Sequence, residues 1–123
     1  GKPVPPWTTV TGAFEHEQKH GAKGDWKLPT SWHDNRSKLN PNTPFNFVCT
    51  ADIIGGNSGS PVINRKGEFV GIIFDGNIQS LTGRYFYSDD VARATSVHSS
   101  IILSALKHVY HADRIVEELQ IAK

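Results

Sequence analysis

Between Glu68 and Asp75 the chain sets Phe69, Val70, Ile72, Ile73 and Phe74 in one uninterrupted apolar run, entered through Asn64-Arg65-Lys66-Gly67. Asn and Gly tolerate the backbone conformations that reverse a chain, so these four residues predict a hairpin turn. The run after it predicts a strand buried on both faces, with Ser60 to Ile63 as its hairpin partner. A fold built around that hairpin must be mainly β. Phe45 to Thr50 adds another predicted strand, and Arg84 to Tyr87 and Ala92 to Val97 add shorter ones. Ile101, Ile102, Ala105, Leu106, Val109 and Tyr110 recur at the helical period, which predicts a terminal helix capped by Ser99 or Ser100, with a second short helix after Asp113.

The first third has a different character. Six of the seven prolines and all three tryptophans precede Phe45. Residues 1–44 therefore read as an extended covering segment, residues 45–98 as the β portion and residues 99–123 as the helical end. Gly12 to His20 and Ser31 to Leu39 are short helix candidates without a strong apolar face, stopped by Gly21 and Pro41. With 123 residues the chain is expected to form one compact unit. It has no methionine and starts at Gly1, so it is expected to be a processed or excised piece of a longer protein.

A formal charge of +1, with scattered Lys and Arg, disfavours nucleic acid as a partner. No apolar stretch reaches the ~20 residues of a membrane span. Cys49 is the one cysteine, and its parity with Phe45 and Phe47 predicts a small buried core residue.

The chemistry is concentrated in Gly55-Gly56-Asn57-Ser58-Gly59-Ser60-Pro61. A serine held in a glycine-rich turn between apolar segments presents its hydroxyl beside backbone donors. Ser58 is the candidate nucleophile, and the N–H groups of Gly56 and Ser58 are the candidate oxyanion donors. An ordinary glycine-rich hairpin turn is the plain alternative. A serine nucleophile also needs a base and a group that orients it. Of the histidines at 16, 20, 33, 98, 108 and 111, none is tied to Ser58 by local context, and His98 and His33 are the ones folding could bring close. Asp75 ends an apolar strand and is followed by Gly76 and Asn77, so its carboxylate is expected to face a cavity beside Ser58, where a substrate ammonium could pair with it. A turn-capping aspartate is the alternative. Gly76 leaves that cavity open for an apolar substrate residue of moderate size.

His16-Glu17-Gln18-Lys19-His20 matches the spacing of zinc peptidases. Gly21 and Gly24 end the helix that such a site needs, and the segment reads as a charged surface helix. No metal or other cofactor is expected.

Gly56-Asn57-Ser58-Gly59-Ser60-Pro61 resembles the nucleophile motif of chymotrypsin-like serine peptidases, and lacks the glycine that an α/β-hydrolase elbow would carry at Ser60. The stretches Phe47 to Ile54 and Val70 to Leu81, with Val109-Tyr110-His111-Ala112-Asp113-Arg114, resemble the bacterial serine dipeptidyl peptidases of family 46, the dipeptidyl-peptidase 7 and 11 type, which remove dipeptides from free amino termini. The resemblance runs over almost the whole chain and implies the C-terminal barrel portion of a double β-barrel. It implies that the catalytic histidine and aspartate lie upstream, that the isolated chain is inactive, and that the parent is exported to the periplasm or cell surface. Ser58 and the Gly56 donor carry over by motif, and Asp75 corresponds to a carboxylate that binds the substrate's α-ammonium. Members that prefer acidic residues place an arginine where this chain has Gly76, so the chain resembles the apolar-preferring branch. Asn57 stands where digestive relatives have an aspartate that pairs with a new amino terminus on activation. Asp52 sits at the offset of the trypsin specificity carboxylate, but Gly76 is expected to reach the pocket instead.

The expected partners are a peptide substrate and the remainder of the peptidase chain, with a homodimer of the full enzyme also in view. A trypsin-like or stress-protease endopeptidase fragment, or a non-catalytic binding or assembly piece, are the competing readings.

Overall fold

The computed structural model describes residues 4–121, which separate into two compact units: residues 4–8 with 46–99, and residues 9–45 with 100–121. Five strands, β1 (Trp7–Thr9), β2 (Pro44–Cys49), β3 (Pro61–Ile63), β4 (Phe69–Gly76) and β5 (Ala94–His98), form one sheet in the order β1-β2-β5-β4-β3. The pairs β2–β5, β5–β4 and β4–β3 are antiparallel. The sheet is open, with β1 and β3 at its edges, and the protein is mainly β with helices, as the sequence predicts.

The first unit is organised by β4. Its hairpin with β3 turns at Gly67, whose φ of +78° needs glycine, and Asn64 Oδ1 holds the turn by accepting from the Lys66 and Glu68 N–H groups. Along β4 only Gly71 and Ile73 are buried, while Phe69 and Phe74 are exposed. The strand expected to be buried on both faces is therefore buried on one. Ala94 and Ser96 of β5 complete this core. Gly71 is needed for packing: a Cβ there would run into the Val97 carbonyl and the Phe47 ring, which itself meets His98 edge-on at 5.7 Å. Cys49, expected in the core, is half-buried at the β2 end opposite Ala94.

The strand expected at Arg84 to Tyr87 does not form. A 3₁₀ helix covers Ile78–Arg84 instead. Ser80 Oγ donates to the Asn77 carbonyl at its start and Thr82 Oγ1 to that of Gln79, and at its end the Tyr85 and Phe86 N–H groups both turn back to the Thr82 carbonyl rather than to a neighbouring strand. Tyr87 is tied instead through its hydroxyl to the Thr50 carbonyl at 2.6 Å.

Among the described residues the second unit is built on four α-helices, α1 (Val10–Lys19), α2 (Thr30–Asp34), α3 (Ser99–His108) and α4 (Asp113–Ile121), with short 3₁₀ turns at Gly24–Trp26 and Arg36–Lys38. Helix α1 starts two residues earlier than the sequence suggests, because Thr9 Oγ1 accepts the Gly12 N–H and caps it. That start brings Val10, Phe14 and Glu17 to one buried face, so the helix has the inward stripe that the sequence reading denied it. Phe14 lies edge-on to His33 at 5.6 Å and beneath the Arg36 guanidinium at 4.5 Å. In α3, Ile101 and Ala105 are buried, followed by Val109 just past its end.

Candidate active site

The turn that leads into Ser58 is closed by two opposed hydrogen bonds. The Asn57 N–H donates to the Ile54 carbonyl at 3.2 Å, and the Ile54 N–H donates to Asn57 Oδ1 at 2.8 Å. Gly56 sits at φ +103°, the left-handed value that the third residue of a type II turn requires. Gly59, at φ +90°, reverses the chain again after Ser58. Among the described residues the N–H groups of Gly56 and Ser58 have no backbone acceptor, whereas those of Asn57, Gly59 and Ser60 are all bonded. Two uncommitted donors flank one exposed hydroxyl, which suits a site that must hold a developing negative oxygen.

This turn is laced onto β4. The Gly59 N–H donates to the Ile73 carbonyl at 2.8 Å, the Ile73 N–H donates to the Ser60 carbonyl at 3.1 Å, and Ser58 Oγ donates to the Phe74 carbonyl at 3.0 Å. The serine is thus positioned by the strand that also carries Asp75 and Gly76.

A bulge decides where Asp75 points. In β4, Gly71 and Ile73 face the core, and strict alternation would send Asp75 inward after them. The pairing with β5 instead slips by one, Ile73 opposing Ser96 and Asp75 opposing Thr95, so Phe74 is the extra residue. A bulge re-aims the side chains beyond it. Asp75 is consequently exposed, and its Oδ1 accepts the Gly76 N–H at 2.8 Å. The carboxylate expected to be sheltered stands on an open wall.

Ser58, Phe74, Asp75 and Gly76 share a pocket of about 200 Å³ with Ile53, Ile54, Gly55, Ser80 and Leu81. Among the described residues Asp75 is the one ionisable side chain lining it. Gly76 is there for room: a Cβ would strike the Ser80 hydroxyl and come within 3.3 Å of Ile53. Asn77 then pins the strand end, its N–H donating to the Arg93 carbonyl, its Oδ1 accepting the Arg93 N–H and its Nδ2 donating to the Val91 carbonyl, all within 2.7–2.9 Å.

No histidine lines this pocket among the described residues. His98 lies in β5 opposite Gly71, and His33 binds Glu17 in the other unit. Asp52 lines a separate small cavity with Gly83 and Tyr87. The zinc-like pattern also resolves differently. Glu17 is 4% exposed rather than on the surface, and its Oε1 accepts the Leu28 N–H at 2.8 Å and meets His33 Nε2 at 3.0 Å. His16 and His20 pack their rings against one another and against Trp26. Among the described residues no group of three or more His, Cys, Asp or Glu side chains could hold a metal ion. The sequence reading missed Asn57 as a turn clasp, although Asn side chains readily bond backbone groups a few residues away. Ser80 and Asn77 gave no local signal.

The Peptidase S46 family profile matches residues 1–121. The chain belongs to the peptidase S46 family. Among curated relatives, this S46 chain is 41% identical over 80 residues to an Asp/Glu-specific dipeptidyl-peptidase of Shewanella putrefaciens, an alignment covering 65% of the chain and 11% of the relative. It is 37% identical over 84 residues to dipeptidyl-peptidase 7 of Phocaeicola vulgatus, covering 68% and 12%. The chain thus spans about a tenth of the length of these relatives. In fold it is similar to the crystal structure of Porphyromonas endodontalis DPP11 in complex with the dipeptide Arg-Glu, with a TM-score of 0.83 at 24% identity over 95% of this chain and 18% of that one. Among the described residues of the S46 chain no helix is long and apolar enough to cross a membrane.

Proposed function

We propose that this chain is the nucleophile-bearing part of a serine dipeptidyl peptidase that releases dipeptides from free amino termini. The observation that carries the reading is the shared pocket, in which an exposed serine and a carboxylate stand on a wall laced to one strand. In the proposed reaction Ser58 Oγ attacks the second peptide carbonyl, and its proton passes to the histidine expected upstream. The oxygen that becomes negative is held by the Gly56 and Ser58 N–H groups. The C–N bond then breaks, the histidine returns the proton to the departing amine, and water releases the dipeptide from Ser58 by the same steps. Asp75 binds the substrate ammonium and so sets the cut two residues in. Gly76 with Ile53, Ile54 and Leu81 supports a preference for apolar residues at the cleaved position. The chain by itself is inactive for want of a base, and the parent works in the periplasm or at the cell surface.

The test uses the full-length parent with matched free and amino-blocked peptides. Ser58→Ala is expected to lower kcat by at least about 10⁴-fold. Asp75→Asn is expected to lower kcat/KM for free peptides about 10- to 100-fold, the scale of one charge-assisted hydrogen bond. Equal cleavage of free and blocked peptides would replace this reading with that of an endopeptidase.

A further inference from the structure

We propose that Asn57 is a positioning residue that keeps the oxyanion turn formed from within, through the bond from the Ile54 N–H to its Oδ1. The inference rests on Ser58 being the nucleophile. Gly55 and Gly56 carry no side chains, and a Cβ at either would meet nothing within 4 Å, so packing does not decide which way their peptide points. Glycine pairs move readily between turn types, and in only one orientation does the Gly56 N–H join that of Ser58. The backbone bond from Asn57 to Ile54, at 3.2 Å, is the longer of the two that close the turn. The side-chain bond, at 2.8 Å, closes a second ring across the same four residues. Asn57 is itself exposed, so it fills no core space whose loss would explain an effect of its removal. The turn of this chain therefore needs no amino terminus freed by processing to organise it.

The prediction is a split in the kinetics of the full-length parent. Asn57→Ala lowers kcat about 100-fold, the loss expected when one oxyanion donor is misplaced, while KM for a free peptide stays within about twofold. Inhibition by a dipeptide aldehyde, whose adduct with Ser58 needs the same donors, weakens by a similar factor. Asn57→Asp keeps an acceptor at the Oδ1 position and regains at least tenfold of the lost kcat. If Asn57→Ala does not fold, the Asp variant decides alone, with kcat within about tenfold of the parent supporting the clasp. The proposal is overturned if Asn57→Ala keeps kcat within threefold, or if Asn57→Asp falls as far as Asn57→Ala. A fluorophosphonate separates the two layers of inference. A parent that is not labelled at Ser58 defeats the nucleophile assignment itself, whereas a labelled parent with an unaffected Asn57→Ala defeats the clasp alone.

Discussion

Gly76 shows how much a single missing side chain can carry. A methyl group there would need the place that the Ser80 hydroxyl holds, and Ser80 is fixed by its 2.6 Å bond to the Asn77 carbonyl. Gly76→Val in the full-length parent should therefore lower kcat/KM for substrates with large apolar residues at the cleaved position at least tenfold more than for those with alanine. Adding Ser80→Gly should recover part of the loss, because the two positions compete for one volume. A steady-state comparison of a short substrate series measures both effects, and a uniform loss across the series would disconnect Gly76 from the pocket. The tight turn around Gly56 and Ser58 was legible in the sequence because a glycine-flanked serine is a local signal. The exposure of Asp75 was not, since it depends on a slip of register against Thr95 and Ser96, some twenty residues away. Glu17 misled for the same reason. Its partners Leu28 and His33 come from beyond the helix, and a pattern of charges along α1 does not reveal them.

At the scale of elements, β4 is where fold and site meet. Its first half is pinned by Gly71, which lets the Phe47 ring and the Val97 carbonyl close over the backbone. Gly71→Ala should cost about 2–3 kcal/mol, the usual scale of overpacking a tight site, because a backbone carbonyl and a ring must both move. Urea unfolding monitored by circular dichroism checks it, and a change below about 0.5 kcal/mol would show that the sheet adjusts freely. The second half of β4 bulges at Phe74 and ends in the Asn77 clasp. Strand β4 was readable from its apolar run, but not its one-sided burial, because alternation is hidden when both parities are apolar. The failed strand at Arg84 to Tyr87 has a different cause. The Tyr85 and Phe86 N–H groups turn back to the Thr82 carbonyl at the end of the 3₁₀ helix, and composition alone does not weigh that against a ladder.

For the molecule as a whole, acid stability is expected to turn on Glu17. Burial by itself raises its carboxyl pKa, but the Leu28 N–H, the His33 hydrogen bond and the positive charges of His33 and Lys27 together hold it below the ordinary value of 4.5. A carboxyl lowered on folding contributes stability that is complete above its unfolded value and is lost as pH falls through the folded one. Thermal melts of wild type and Glu17→Gln between pH 3 and 7 should therefore differ more above pH 4.5 than below it, the gap narrowing as pH falls. Parallel curves would remove Glu17 from the acid response. The lacing of the Ser58 turn to β4 has a consequence of a different kind. In the proposed enzyme the attacking atom and the amine-gripping carboxylate are two graduations on one ruler, Ser58 clipped to Phe74 and Asp75 the next residue along. Warming or loosening the surrounding loops would slow such an enzyme or speed it, yet leave the length of what it snips unchanged.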